Sequence, residues 1–287
     1  MKVVSIVAPA SPAPLSQKKV IESFFKKEGF DVKFMPHVFD QDRYLAGSDE
    51  DRAQDLNEAL TDKTTDFVVA LRGGYGSPRI LDMLDYKAIK KANKKLFGFS
   101  DITALQLALY KKSKMVSYSG FNADCAVKGV GPLLKETFFK AVNDEPLIVE
   151  NLLTVKKGVA KGTVIGGTLT MLVSLMGTKY MPSLKKSLLV VEEVHESPYR
   201  IDRMLNQLRL GGHLDDLAGV ILSECADCTP KDAQDGDVKK VFDSYFNHLD
   251  IPVVTAFPYG HIPERIVFPI GKKAILNATE GKLIFER

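Results

Sequence analysis

Four groups of residues in this 287-residue chain have the types and spacing to do chemistry. The first is Leu96-Phe97-Gly98-Phe99-Ser100-Asp101-Ile102-Thr103, where an apolar run ends at a serine and passes directly into a stretch of helical period. A serine at a strand-to-helix turn is held out above the sheet edge. The amide that follows it sits at a helix N-terminus, where free N–H groups can stabilise an oxyanion. That arrangement suits a nucleophile, but Ser and Asp are also the commonest helix N-caps and need no catalytic role there. The pattern departs from the nucleophile elbow of α/β-hydrolases, which wants Gly two places after the serine, where this chain has Ile102.

The second group is Leu71-Arg72-Gly73-Gly74-Tyr75-Gly76, between a strand at Phe67–Leu71 and a helix starting near Ser77-Pro78. Its glycines let backbone N–H groups approach negative charge, although a plain tight turn explains them equally well. It matches neither the dinucleotide fingerprint nor the P-loop. At the carboxyl end of a central strand it falls near Ser100 if both strands are parallel. The third group is the histidines His37, His195, His213, His248 and His261, from which a serine would draw its base. His261 lies in a Gly/Pro-bounded loop after the strand Val253–Ala256, where catalytic groups concentrate. His248 sits on an amphipathic segment and His213 follows a helix end, while His37, between a strand and a loop, stays open as a candidate. The fourth group is Glu192, which closes the apolar strand Ser187–Val191. A carboxylate there is costly unless paired, and its partner is either a catalytic base or a structural cation such as Arg200 or Arg203. Metal readings fail on spacing, because His195-Glu196 lacks a second His and Cys225-Ala226-Asp227-Cys228 lacks a second Cys pair. Outside a thioredoxin-like context the two cysteines read as ordinary thiols.

The elements that must position these groups follow an α/β pattern. In the first half the strands Val3–Val7, Val32–Met35, Phe67–Leu71, Leu96–Phe99 and Met115–Tyr118 alternate with amphipathic helices at Gln17–Glu28, Asp51–Thr61, Pro78–Leu84 and Ile102–Lys111. This predicts a Rossmann-like parallel sheet layer. From about Pro146 short strands at 147–149, 153–155, 162–165, 274–276 and 283–285 predict a β-rich second domain, interrupted by helices at Thr168–Met176 and Tyr199–Leu210. The expected division is residues 1–145 and 160–287, joined by a connecting segment at 146–159. The basic run Lys87, Lys90, Lys91, Lys94 and Lys95 reads as a solvated helix face.

Composition narrows the class further. With 45% hydrophobic and 26% charged residues, disordered and collagen-like chains are excluded. The balance of 39 basic to 36 acidic residues leaves +3, too little to suggest nucleic acid as a partner. Three cysteines are too few for a disulfide framework, so a reducing cytoplasm is expected. The apolar start from Val3 to Ala8 is shorter than the roughly 7–15 residues of a secretory core. No apolar run approaches the ~18 residues that span a bilayer, so a membrane is not an expected partner.

In these motifs, read together over nearly its full length, the chain resembles the LD-carboxypeptidase family of serine peptidases, which includes murein tetrapeptide carboxypeptidases and microcin C self-immunity proteins. The resemblance is carried by Ile6-Val7-Ala8-Pro9-Ala10-Ser11, Tyr44-Leu45-Ala46-Gly47, the Arg72–Gly76 loop, Gly98-Phe99-Ser100-Asp101, Ile165-Gly166-Gly167-Thr168-Leu169, Val191-Glu192-Glu193, Tyr199-Arg200, Gly260-His261 and Pro269-Ile270-Gly271. It implies a triad of Ser100, His261 and Glu192, an oxyanion hole from the amides of Gly74 and Asp101, and substrate contacts at Gly73, Tyr75 and Thr168. The implied site lies in the cleft between the two domains. The implied reaction releases a terminal D-amino acid from an L-centre, as in D-alanine release from a muropeptide tetrapeptide during peptidoglycan recycling. No metal or cofactor is implied, and a homodimer is expected. Thr168 stands where the family commonly has Asn. The alternative is a self-immunity peptidase cleaving a peptidyl- or aminoacyl-nucleotide, although this chain has no tryptophan to stack on a base. A non-catalytic small-molecule binding protein would leave Ser, Glu and His in family order unexplained.

Overall fold

The computed structural model describes residues 1–286. Its first half runs β1 (Lys2–Val7), α1 (Lys18–Lys27), β2 (Phe30–Phe34), α2 (Asp49–Thr61), β3 (Phe67–Ala70), α3 (Tyr86–Ala92), β4 (Lys95–Gly98), α4 (Ile102–Ser113), β5 (Ser117–Ser119), α5 (Cys125–Lys128) and α6 (Pro132–Val142). The five strands pair in parallel in the order β5-β4-β3-β1-β2. Their carboxyl ends therefore share one edge, and the loops after β1, β3, β4 and β5 all emerge there. Beneath that edge an aromatic cluster fills the core, with Phe121 stacked on Phe138 at 4.2 Å and Phe97 at 4.9 Å from Phe138. The stretch expected as a helix over Pro78–Leu84 is instead a run of 3-10 turns at Ser77–Met83. Helices α3 and α6 complete the layer.

The second half contains β6 (Ile148–Val149), β7 (Leu153–Lys156), β8 (Val159–Thr168), α7 (Leu169–Ser174), β9 (Ser187–Val194), α8 (Pro198–Leu210), β10 (Gly219–Ala226), α9 (Val238–Phe246), β11 (Val253–Phe257), β12 (Phe268–Ile270), β13 (Lys273–Asn277) and β14 (Lys282–Phe285). An eight-stranded sheet orders them β6-β14-β13-β8-β9-β10-β11-β7, leaving out β12. Strands β8 to β11 are parallel and successive, and antiparallel strands cover both edges. The central strands read as unbroken apolar runs because both of their faces are covered. Residues 146–159 supply β6 and β7 to this sheet. β12 crosses the other way, pairing Phe268 with Ser119 antiparallel at the edge of the first sheet.

Helix α4 joins the halves. Residues 102 to 109 are all buried, because the helix packs against β4 and β5 on its own side and against β8 and α7 of the second half. A helix covered on every face needs no polar stripe. Strand β8 approaches so closely that a side chain at Gly167 (φ +128°) would lie 2.9 Å from the Thr103 side chain. Fully buried Tyr259, after β11, bonds through its hydroxyl to Ser119 Oγ at the end of β5, 2.8 Å away. Among the described residues no helix is long and apolar enough to cross a membrane.

Removing that hydroxyl strands a buried serine at the seam. Tyr259→Phe should lower unfolding free energy by about 1–3 kcal/mol, read from urea denaturation, and an unchanged midpoint would show that the bond contributes nothing to docking.

Candidate active site

Ser100 leaves β4 in the left-handed region, with φ +66°. A non-glycine residue held there costs about 1–3 kcal/mol and persists only when its surroundings over-determine it. Here the helix start does so, since Thr103 N donates to the Ser100 carbonyl at 2.9 Å and Ala104 N to the Asp101 carbonyl at 3.2 Å. On the other side, a side chain at Gly73 would lie 2.9 Å from Ser100 Cβ, so the loop after β3 passes the serine as bare backbone.

His261 Nε2 lies 3.1 Å from Ser100 Oγ, and His261 Nδ1 lies 3.1 Å from Glu192 Oε2. Glu192, near the end of β9, is wholly buried, and its other oxygen, Oε1, accepts the Thr168 hydroxyl. The three residues singled out by sequence therefore form one continuous hydrogen-bonded row across the two halves. Neither cation considered for Glu192 reaches it as a hydrogen-bond partner; Arg200 instead pairs with Glu196 at 3.3 Å on α8. Phe99 backs the imidazole, with ring centroids 4.5 Å apart, and the Arg265 guanidinium covers Phe99 at 4.7 Å from its centroid.

The remaining expectations divide. Gly73 and Gly74 open with Ser100 and His261 onto a cleft of about 860 Å³. Among the described residues the Gly74 and Asp101 amides have no hydrogen-bond partner, whereas the Tyr75 amide donates to Ser11 Oγ at 3.0 Å. The exposed Tyr75 ring packs edge-on against Tyr44, 5.6 Å away. Thr168, expected at the substrate, is buried with its hydroxyl spent on Glu192. His37 bonds to Asp55 at 2.9 Å, and this partner holds its pKa above the ordinary value. His195, exposed on the cleft rim, faces Asp227 at 3.8 Å. His37, Asp40 and Asp51 bring ligand atoms within 4.8 Å of one another, but none of them lines the cleft.

The sequence reading missed what the Asp101 side chain does. It is buried, and its carboxylate accepts the amides of Gly76 at 3.2 Å and Ser77 at 2.8 Å, while Ser77 Oγ donates to the Asp101 carbonyl at 2.8 Å. The residue after the serine thus staples the glycine loop to the start of α4. Burial pushes its carboxyl pKa up, and the accepted amides pull it only part of the way back.

Comparison with known proteins settles the family. Residues 4–120 match the LD-carboxypeptidase N-terminal domain and residues 161–276 the LD-carboxypeptidase C-terminal domain. The chain belongs to the LD-carboxypeptidase family. As such it is an enzyme, a serine-type LD-carboxypeptidase. It is 32% identical over 290 residues to a Bacillus subtilis (strain 168) protein named "Probable murein peptide carboxypeptidase", covering 99% of this chain and 91% of that one. A crystal structure of muramoyltetrapeptide carboxypeptidase from Oxalobacter formigenes superposes with TM-score 0.89 at 30% identity, covering 99% of this chain and 98% of that one. The microcin C7 self immunity protein shares the fold, with TM-score 0.90 at 22% identity over 100% of this chain and 96% of its own.

Asp101→Ala leaves two amides without an acceptor and should cost about 1–3 kcal/mol. Because the folded carboxyl pKa is raised, the contribution of Asp101 is full below the ordinary carboxylate range and is lost as pH rises through the folded value. The stability gap between wild type and variant should therefore narrow as pH is raised from the ordinary carboxylate range upward. Urea titrations across that range check the sign, and a widening gap would contradict it.

Proposed function

We propose that this LD-carboxypeptidase acts on murein peptides, releasing terminal D-alanine from a muropeptide tetrapeptide, with Ser100 as nucleophile, His261 as base and Glu192 as the group that orients the base. The observation that carries the reading is the unbroken row from Ser100 Oγ through both ring nitrogens of His261 to Glu192 Oε2, with 3.1 Å at each step. The names of the murein peptide carboxypeptidase relatives support the substrate class.

In this mechanism Glu192 accepts the Nδ1–H of His261, which leaves Nε2 free to take the Ser100 proton. Oγ attacks the carbonyl carbon of the L-centre, and the developing oxyanion takes hydrogen bonds from the Gly74 and Asp101 amides. His261 then delivers its proton to the leaving amine and D-alanine departs. Water resolves the acyl-enzyme by the reverse relay. Because Ser100 comes from one half and Glu192 and His261 from the other, turnover depends on how the halves dock. Peptidoglycan recycling in the cytoplasm, by a homodimer, is the setting this reading carries with it.

The fold shared with the microcin C7 self immunity protein favours a second reading, hydrolysis of a peptidyl- or aminoacyl-nucleotide amide. One assay separates the two: release of D-alanine from a synthetic tetrapeptide ending in D-Ala, against the all-L peptide and an aminoacyl-nucleotide amide. Wild type should release D-alanine from the first alone, and Ser100→Ala should be slower by on the order of 10⁶. Turnover of the nucleotide amide alone would move the substrate to the second reading, and undiminished turnover by Ser100→Ala would remove the serine mechanism. Gly73→Ala, whose methyl must displace Ser100, should lose about 100-fold in rate and about 1–3 kcal/mol of stability.

A further inference from the structure

The pair Cys225 and Cys228 takes no part in the mechanism, yet it lies one residue from the backbone that holds His261. Cys225 lies near the end of strand β10, opposite Glu193 in the register with β9 and next to Glu192, and Cys228 follows two residues after the strand. Both cysteines are free. Cys228 N donates to the Cys225 carbonyl at 3.4 Å, and Asp227 between them has φ +55°, so the four residues form a tight turn. Such a turn brings its end Cα atoms within about 7 Å, the reach of a disulfide.

The environments of the two sulfurs differ. Cys228 is buried and its thiol donates to the Ala226 carbonyl at 3.5 Å, whereas Cys225 is partly exposed. The neighbouring Cys225 holds the Cys228 pKa below the ordinary thiol value, while Cys228 and then burial push Cys225 up.

The link to the site runs through Glu224. Its amide donates to the Tyr259 carbonyl at 3.3 Å, two residues before His261, and a side chain at Gly260 would sit 3.2 Å from the Glu224 carbonyl. The ladder between β10 and β11 slips between Ile221 and Ser223, so these contacts continue the seam where regular pairing has become irregular.

We propose that Cys225 and Cys228 form a reversible thiol–disulfide site, oxidised by low-molecular-weight disulfides, whose closure displaces the His261 loop and lowers turnover. One of the two cysteines, as its thiolate, attacks one sulfur of the small disulfide RSSR, forming a mixed disulfide and releasing one thiolate. The other then gives up its proton and its sulfur attacks the protein sulfur of that mixed disulfide, releasing the second. The balance is one protein dithiol and one RSSR in, one protein disulfide and two RSH out. Contraction of the turn pulls the end of β10, and with it Glu224, away from Tyr259.

The rate effect rests on the murein carboxypeptidase reading, whereas the chemistry at the cysteines is measured without it. The purified full chain is equilibrated with mixtures of oxidised and reduced glutathione, digested after alkylation and mapped by mass spectrometry, and D-alanine release is assayed on the same samples. The expected result is a Cys225–Cys228 crosslink, a loss of about ten- to a hundredfold in turnover, and recovery with dithiothreitol. Cys228→Ser should keep the turnover of the reduced wild type and ignore the oxidant, and Cys225→Ser serves if that variant fails to fold. A crosslink without a rate change, or no crosslink under oxidised glutathione, overturns the proposal. Absence of D-alanine release from the fully reduced protein would instead strike the murein reading and the rate effect proposed with it, leaving the crosslink to be judged from the map.

Discussion

Ile102 to Leu109 turn no face to solvent, so helix α4 needs apolar cover from both halves of the chain. Its own sheet supplies one wall, and β8 with α7 supplies the other. That second wall stands only as close as Gly167 permits, against Thr103, and there Thr168 N meets Thr103 Oγ1 at 3.4 Å. The Thr168 hydroxyl then continues to Glu192, Glu192 to His261, and His261 back to Ser100, the residue from which α4 set out. Burial of the helix and closure of the hydrogen-bonded row from Ser100 to Glu192 are therefore one geometric event.

The glycine loop is held from the opposite direction. Arg52, buried on α2, donates to the carbonyls of Pro9 and Gly76 and pairs with Asp49, which also takes Arg79. A buried cation persists only where carbonyls and a carboxylate replace its water. Together Arg52 and Asp101 hold the loop after β3 at Gly76 and Ser77, one from outside the sheet edge and one from the turn that carries Ser100. Gly73 and Gly74 are left to face the cleft with their backbone committed elsewhere as little as possible.

Sequence pattern carried the five strands of the first half and helices α1, α2 and α4, because each strand buries a largely apolar run and each of these helices has a locally periodic apolar face. The candidate row of Ser100, Glu192 and His261 was legible for a related reason: each breaks its local rule, a serine at a strand end, an acid closing an apolar run, a histidine in a Gly/Pro loop. Contacts whose cause is distant in sequence stayed hidden. Asp101 looks like a helix cap until its carboxylate is seen on amides 24 and 25 residues earlier in the chain. Strand β12 joins a sheet whose other members end more than a hundred residues before it, and no period announces which sheet a three-residue strand will pair with. Residues 146–159 look like a link by composition, yet they become edge strands because the second sheet has polar backbone at its rims to cover.

The two adjacent carboxylates on β9 show how little chain suffices to fix the carboxylate that meets His261. Side chains alternate across a strand, so Glu192 and Glu193 point to opposite faces, and both are buried. Each is met by a threonine from the same short segment at the start of α7. Thr168 donates its hydroxyl to Glu192, and Thr170 donates its amide at 2.8 Å and its hydroxyl at 2.6 Å to Glu193. Val194 N adds a third donor to Glu193 at 3.0 Å. Glu193 thus pins β9 to α7 on the far face while Glu192 stays free to spend one oxygen on His261. A carboxylate whose second oxygen serves the imidazole needs one donor on the first, and a hydroxyl provides one. Threonine in place of asparagine after Gly166-Gly167 is consistent with that count, because the position supports the acid rather than facing the cleft.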